Sequence, residues 1–212
     1  MAEQSIPAEV SEKLSALPVA SAVALHLKAD QYFDAIQGLI DRFATKKDLE
    51  VVYVTSTIPS QSILNAMEAL EIPVEHIWFV DCITQIMMSQ AKRHPHSIVV
   101  ESPTMLENIM LKVEFLLRKN PDRNALVVLD SINSLAIHNN TKILSEFLHI
   151  LVNNLRARGA GRKRPTPEGV RLGRDRRHPL AQTPSSRASS DTSTSMFRIS
   201  SVSYSCIEMM TV

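Results

Sequence analysis

The stretch Ala125-Leu-Val-Val-Leu-Asp130 decides the fold of this chain of 212 residues. Its run of apolar residues has the length of one strand, and the absence of alternation predicts that the strand is buried on both faces. Similar short apolar runs occur earlier, at residues 19–27, 51–54, 77–80 and 97–100. Runs of this kind are typical of strands in a parallel sheet.

Segments with helical spacing of apolar residues separate these runs, and spacing of three or four residues predicts amphipathic helices. The predicted helices cover residues 32–43, 59–70, 104–118 and 141–155. Thr104 and Glu107 have the spacing of a capping box at the start of the third of these helices. Because strands alternate with helices, we predict an α/β fold with a parallel sheet covered by helices on both faces.

The composition changes near residue 158. Residues 1–157 hold 13 Lys and Arg against 18 Asp and Glu, whereas residues 158–212 hold 10 against 4. Gly38 is the single glycine of the first part, and the four other glycines all follow it. This shift in charge and composition indicates one globular domain followed by a segment of different character.

We therefore divide the chain into three parts. Residues 1–18 form a polar N-terminal lead, residues 19–158 form the α/β domain, and residues 159–212 form a basic, Ser-rich tail that we expect to be disordered. No apolar run approaches the ~18 residues that cross a bilayer, so we expect no membrane partner. Two cysteines, Cys82 and Cys206, do not make a disulfide framework, which favours a soluble protein of the reducing cytoplasm.

Acidic and hydroxyl residues directly follow the predicted strands. Ligands of parallel sheets bind beyond the carboxyl ends of the strands, and Asp30, Thr55-Ser56, Asp81 and Asp130-Ser131 lie at such ends. Asp130 has the position of the carboxylate that holds Mg²⁺ in phosphate-loop ATPases. A strand-terminal aspartate can equally cap the helix that follows it, so this position alone leaves both interpretations open.

Other candidate residues have simpler structural interpretations. His94 and His96 share a loop but lack an identifiable third ligand, and Cys82 lacks a histidine partner that would make it a nucleophile. Ser131 and Ser134 follow Asp130 without a nucleophile elbow, which favours loop capping.

Several segments, taken in their order along the chain, resemble archaeal RecA-like and KaiC-like proteins. They are residues 52–55, 77–83, 99–103, 125–135 and 146–158. The resemblance covers about residues 19–158 and rests on these segments together rather than on one motif. It implies a RecA-like fold in which Asp130 and Ser131 form a degenerate Walker B position, and these are the candidate cofactor-binding residues.

The resemblance also implies a phosphate-binding loop after the first strand, and the sequence departs from that pattern. G-x-x-x-x-G-K-[ST] brings backbone N–H groups and a lysine to the phosphates. Residues 28–35, Lys-Ala-Asp-Gln-Tyr-Phe-Asp-Ala, contain no glycine, and Asp30 and Asp34 would repel a phosphate. The glutamate of KaiC-like ATPases is replaced by Thr-Ser-Thr at 55–57. We expect no hydrolysis, no catalytic residue, no metal and no cofactor, with ATP and Mg²⁺ at Asp130 as the open alternative.

The tail lacks the apolar strand that the resemblance implies after residue 160. We hypothesise a frameshift near residues 159–162, so that a one-base correction in the gene would restore apolar strands. The rival interpretation is a genuine disordered basic tail that binds nucleic acid or an acidic partner. Without the missing strand, residues 19–27 would form an unpaired apolar edge.

Three functions are compatible with these residues. The leading one is a non-catalytic RecA/KaiC-like module that acts through protein–protein contacts in a regulatory role, with self-association implied by the resemblance alone. The second is a nucleotide-binding protein or weak ATPase that uses Asp130. The third is nucleic-acid binding through the arginine-rich tail.

Overall fold

The computed structural model describes residues 5–87, 94–161, 195–198 and 205–211, with side chains described up to residue 159. These residues form an α/β fold with one sheet. Its strands are β1 (Ala22–Leu27), β2 (Glu50–Thr55), β3 (Ile77–Asp81), β4 (Ser97–Val99), β5 (Ala125–Asp130), β6 (Ser195–Arg198) and β7 (Ser205–Thr211). The strand order is β4-β3-β2-β5-β7-β1-β6.

The helices precede or separate these strands, and the apolar spacing predicted them only in part. They are α1 (Ile6–Ser15), α2 (Tyr32–Gln37), α3 (Ser60–Ala69), α4 (Thr84–Met87), α5 (Leu106–Lys119), α6 (Ile132–His138) and α7 (Thr141–Gly161). A π-helical segment, Gly38–Ala44, continues α2. The prediction that Thr104 and Glu107 form a capping box was wrong. The N-cap of α5 is Met105, and its side chain makes no capping hydrogen bond. No helix within the described ranges is long and apolar enough to cross a membrane.

A block of four parallel strands, β4-β3-β2-β5, forms one side of the sheet and confirms the predicted α/β class. β2 lies between β3 and β5, with Thr55 opposite both Asp81 and Asp130. β4 pairs in parallel with the other side of β3. This register places the last residues of β2, β3 and β5 side by side at the carboxyl edge of the sheet.

Helices cover both faces of the sheet, as predicted. All six residues of β2 are buried, and their side chains alternate between two core layers. Val51 and Tyr53 join the layer that packs against α1, α2 and α3, whereas Val52 and Val54 join the layer beneath α5 and α7. Burial on both faces explains why these strands are continuously apolar.

The N-terminal segment belongs to the domain rather than forming a separate lead. Val10 and Leu14 of α1 are buried in the first core layer. The helix approaches Gly38 so closely that a Cβ atom there would lie 2.7 Å from the Pro7 carbonyl oxygen. A glycine at this position therefore permits the contact between the two helices.

The structure differs from the expected disordered tail at two segments. β6 pairs in parallel with β1, and β7 lies antiparallel between β1 and β5. The backbone groups along β1 require hydrogen-bond partners, and these two segments supply them, so β1 is not the unpaired edge that we expected. Residues 162–194 and 199–204 lie outside the described part of the chain, and the frameshift hypothesis stays a prediction.

Candidate functional site

The carboxylate of Asp130 lies at the carboxyl edge of the sheet and is closed by two tyrosines. Its Oδ2 atom accepts hydrogen bonds from the hydroxyl of Tyr32 at 2.5 Å and from the hydroxyl of Tyr53 at 2.7 Å. The two hydroxyl oxygens are themselves 3.1 Å apart. Asp130 is only 1% exposed, so this oxygen meets phenol groups instead of solvent.

The fold brings the three residues of this Asp130–Tyr32–Tyr53 cluster together from separate segments. Asp130 is the last residue of β5, and Tyr53 lies on the adjacent strand β2, two residues before the end of that strand. Tyr32 is the first residue of α2, which follows β1 after a short turn. Since all three lie in or beside the first core layer, the tyrosine side chains reach the carboxylate from the α2 side of the sheet.

The electrostatics of the cluster follow from its burial. Burial raises the pKa of Asp130 above its usual value, and the hydrogen bonds from Tyr32 and Tyr53 only partly offset this effect. Burial, and then the adjacent Asp130 carboxylate, raise the pKa of both tyrosines well above the usual value. Both phenols therefore stay protonated and act as donors at neutral pH, which keeps the cluster a closed hydrogen-bonded unit.

The magnesium and nucleotide that the resemblance implies do not fit this arrangement. Magnesium requires open oxygen ligands, whereas Asp130 is only 1% exposed and its Oδ2 atom already accepts two hydrogen bonds. The side chain of Tyr32 comes from the segment that would hold the phosphates, and it reaches the carboxylate itself. Among the residues that the structure describes, no three His, Cys, Asp or Glu side chains group as metal ligands.

Ser131 caps a helix, in line with the loop-capping interpretation. Its Oγ atom accepts a hydrogen bond from the Ser134 backbone N–H at 3.2 Å and so caps the start of α6. The Ser134 hydroxyl donates to the Ser56 carbonyl at 2.6 Å, and the Ser131 N–H donates to the Ser56 hydroxyl at 3.2 Å. The peptide bond between Asp130 and Ser131 is cis. These bonds join the ends of β2 and β5.

Asp81 ends the strand on the other side of β2 and has different partners. Its Oδ2 atom accepts from the Ser60 N–H at 2.7 Å and from the Thr84 hydroxyl at 2.6 Å, and its Oδ1 atom accepts from the N–H groups of Thr84 and Ile83. Burial by itself raises the pKa of Asp81, but the bonds donated by Ser60 and Thr84 outweigh it and lower the pKa below its usual value. Asp81 therefore caps the helices on either side of it.

The remaining sequence candidates do not join these clusters. Asp30 is exposed in a 3₁₀ turn, and the Thr55 hydroxyl donates to the Ile58 carbonyl. Burial, together with the nearby Asp81, raises the pKa of the Cys82 thiol to about 12, so this cysteine is not a reactive thiolate. The Nδ1 atom of His94 accepts the backbone N–H of His96, which fits a structural loop.

The two tyrosines of the cluster were not among the candidate residues expected from the sequence. Tyr32 lies in the segment that replaces the phosphate loop, where only the missing glycine and the acidic residues were considered. Tyr53 lies inside a strand that is buried on both faces, and a buried phenol needs a hydrogen-bond partner. The need of Tyr53 for a partner could have pointed to the cluster, because Asp130 at the end of a neighbouring strand was a candidate acceptor.

Large apolar side chains are exposed on three helices that follow strands ending at this edge. The exposed fractions are 38% for Phe33 in α2, 56% for Ile86 and 63% for Met87 in α4, and 80% for Ile137 in α6. These three helices follow β1, β3 and β5, whose carboxyl ends all point to one edge of the sheet. We refer to these four residues as the apolar edge residues.

No family model matches this chain, and no curated protein matches its sequence. The structure therefore defines the class of the protein only broadly, as an α/β domain built on four parallel strands.

Proposed function

We propose that this chain is a non-catalytic RecA/KaiC-like module that acts through contacts with other proteins, in a regulatory role. The RecA-like part of this proposal rests on the sequence resemblance. The protein-contact part rests on the chemistry of the carboxyl edge, where parallel α/β domains place their functional residues.

The closed carboxylate of Asp130 is the observation that carries the proposal. In an ATPase of this type, an accessible carboxylate, a phosphate-binding backbone and a water-positioning group act together. Here the carboxylate accepts two phenol hydroxyls within the core, and the residues after β2 supply hydroxyl groups instead of a carboxylate. The edge therefore lacks the phosphate-binding backbone and the water-positioning carboxylate, and its remaining carboxylate, Asp130, is blocked.

The apolar edge residues support a role in binding proteins. A large apolar side chain that is more than half exposed, such as Ile137 or Met87, exposes surface that a partner could bury. Burial of such side chains supplies most of the free energy of protein association. An edge that presents these groups where a nucleotide would bind is suited to docking another protein.

Edge substitutions in the full chain test the proposal. The tagged chain is purified from its source cells, the partner that it retains is identified, and its dissociation constant is measured for each variant. We expect Ile137→Glu and Met87→Glu each to weaken binding by about tenfold or more, because a carboxylate replaces an apolar contact at the interface. Sedimentation velocity of the chain alone shows whether the partner is a second copy.

Ile150→Glu is the matched control, since Ile150 is also exposed, at 43%, but lies in the middle of α7. It should bind as the unaltered chain does, and all three variants should keep the same thermal midpoint. Equal affinity of the edge variants and the unaltered chain would overturn the proposal, as would an equal loss in the control.

Nucleic-acid binding through the tail is a separate alternative. The arginine-rich residues 162–177 lie outside the described part of the chain, so this prediction rests on charge alone. Binding that weakens steeply with salt and disappears on removal of residues 162–177 would favour it. Salt-independent binding, or none, would leave the protein-contact proposal in place.

A further inference from the structure

A cavity opens at the amino-terminal edge of the sheet, at the opposite ends of the strands from the Asp130 cluster. Its volume is about 280 Å³. Leu14 of α1, Phe43 of the π-helical segment and Leu49 just before β2 line it with apolar surface, and Val19 lies at its mouth. The first three are core residues, whereas Val19 is 78% exposed. The cavity thus connects the first core layer with solvent.

The apolar lining favours a ligand with an apolar body. Core side chains that face a cavity lose contacts on that side, and a ligand that fills the space restores them. The volume of about 280 Å³ lies close to the lower end of the range of small-molecule pockets, roughly 300–1,000 Å³. This capacity suits a short aliphatic chain with a small head group.

One lysine supplies a positive charge at this cavity. Lys47 lines the cavity, and its Nζ atom lies 4.7 Å from the centre of the Phe43 ring. Within the part of the chain that the structure describes, Lys47 forms no salt bridge with an acidic side chain. An ammonium beside apolar surface, without a carboxylate partner, favours an anionic head group on the ligand.

We propose that this cavity binds a short amphipathic carboxylate, such as a medium-chain fatty acid, whose head group pairs with Lys47. The chain packs against Leu14, Phe43 and Leu49, and the carboxylate stays at the solvent-exposed mouth. The site is separate from the carboxyl edge, so the proposed ligand binding does not depend on the proposed protein contacts.

Titration of the full chain with sodium octanoate by calorimetry tests the site. We expect one octanoate to bind per chain, and Lys47→Met to weaken binding by about five- to tenfold, because it removes one charge-assisted contact and keeps the apolar stem. Lys46→Met is the matched control, since Lys46 lies next to Lys47 in the 3₁₀ turn Thr45–Lys47 but does not line the cavity. Octanol, the neutral analogue, should bind both lysine variants and the unaltered chain equally weakly.

A second variant tests the cavity itself. Leu17 lines the cavity at its partly exposed side, and Leu17→Trp should fill the space and abolish octanoate binding while the thermal midpoint stays within a few degrees. The proposal is overturned if octanoate does not bind, if octanol binds as tightly as octanoate, or if Lys46→Met weakens binding as much as Lys47→Met. Octanoate binding that survives Leu17→Trp in a folded protein would also overturn it.

Discussion

Asp81 and Asp130 occupy the same position in the fold and have opposite surroundings. Each is the last residue of a strand that pairs with β2, and both carboxylates are buried. Asp81 accepts backbone N–H groups at the starts of two helices, whereas Asp130 accepts two phenol hydroxyls. The pKa of Asp81 is lowered and that of Asp130 is raised, although burial raises the pKa at both sites.

The comparison shows that a strand-terminal aspartate has no fixed role in this fold. Bonds from Ser60 and Thr84 stabilise the charged form of Asp81 strongly enough to overcome burial, so that residue holds local structure together. The donors at Asp130 are fewer and come from distant parts of the chain. The two phenols therefore close the Asp130 carboxylate, whereas the Walker B interpretation of this position needs a carboxylate that is open to a ligand.

Removal of the Asp81 carboxylate should have the largest effect on stability. Asp81→Ala leaves the buried N–H of Ser60 and the groups of Thr84 without their acceptor, so we expect a loss of about 3 kcal/mol in the free energy of unfolding. Urea denaturation measures it, with Asp122→Ala in an exposed turn as the control. Equal small losses in both variants would show that the bonds to Asp81 do not stabilise the fold.

Removal of one phenol from the Asp130 cluster should have an intermediate effect. Tyr53→Phe leaves the buried carboxylate with a single donor from a tyrosine, and we expect a loss of about 1–2 kcal/mol at pH 7. The same substitution in an Asp130→Ala background should cost less, because the partner is already absent. An identical cost in both backgrounds would contradict the hydrogen bond between Tyr53 and Asp130.

Truncation of Ser131 should cost about 1 kcal/mol, the usual value for loss of an N-cap. Thermal or urea unfolding of Ser131→Ala measures the loss. Glycine is a better N-cap than alanine, so Ser131→Gly should retain more stability than Ser131→Ala. If both substitutions are neutral, Ser131 does not cap α6 and its role as a ligand-binding residue regains support.

The smallest predicted effect concerns pH. The contributions of Asp81 and Asp130 to the stability of the fold should change with pH in opposite directions. Because the pKa of Asp81 is lowered in the folded state, its contribution is present above the unfolded pKa of about 3.9 and is lost as the pH falls through the folded value. The pKa of Asp130 is raised, so its contribution is present below about 3.9 and is lost as the pH rises through the folded value.

Unfolding at a series of pH values distinguishes the two residues. Relative to the unaltered protein, Asp130→Asn should gain stability as the pH rises, whereas Asp81→Asn should lose stability as the pH rises. Parallel trends for the two variants would break the comparison, since they would place both carboxylates in equivalent surroundings.

The local pattern of the sequence predicted most of the central fold. The continuous apolar runs of β2 and β5 and the helical spacing of α5 and α7 depend on neighbouring residues, so one sequence suffices to find them. α6 was missed because it is short and begins directly after Asp130-Ser131, where a capped loop was the simpler interpretation. β6 and β7 depend on pairing with β1, a long-range contact that local composition does not encode.

The candidate site was predictable only in part. The strand-end position of Asp130 and the lack of a phosphate loop follow directly from the residues. Its closure depends on Tyr32 and Tyr53, which are 98 and 77 residues away from it along the chain. The sequence could state that a phosphate loop is missing, but only the packing of α2 and β2 shows what replaces it.

The most direct measurement of the closed carboxylate is nucleotide binding by the full chain. Thermal unfolding and calorimetry are carried out with ATP and Mg²⁺, with ATP alone and without ligand, for the unaltered protein and for Asp130→Ala. Closure of Asp130 by Tyr32 and Tyr53 predicts no shift of the midpoint and no binding heat in any of these conditions. Magnesium-dependent stabilisation by ATP that disappears in Asp130→Ala would contradict it.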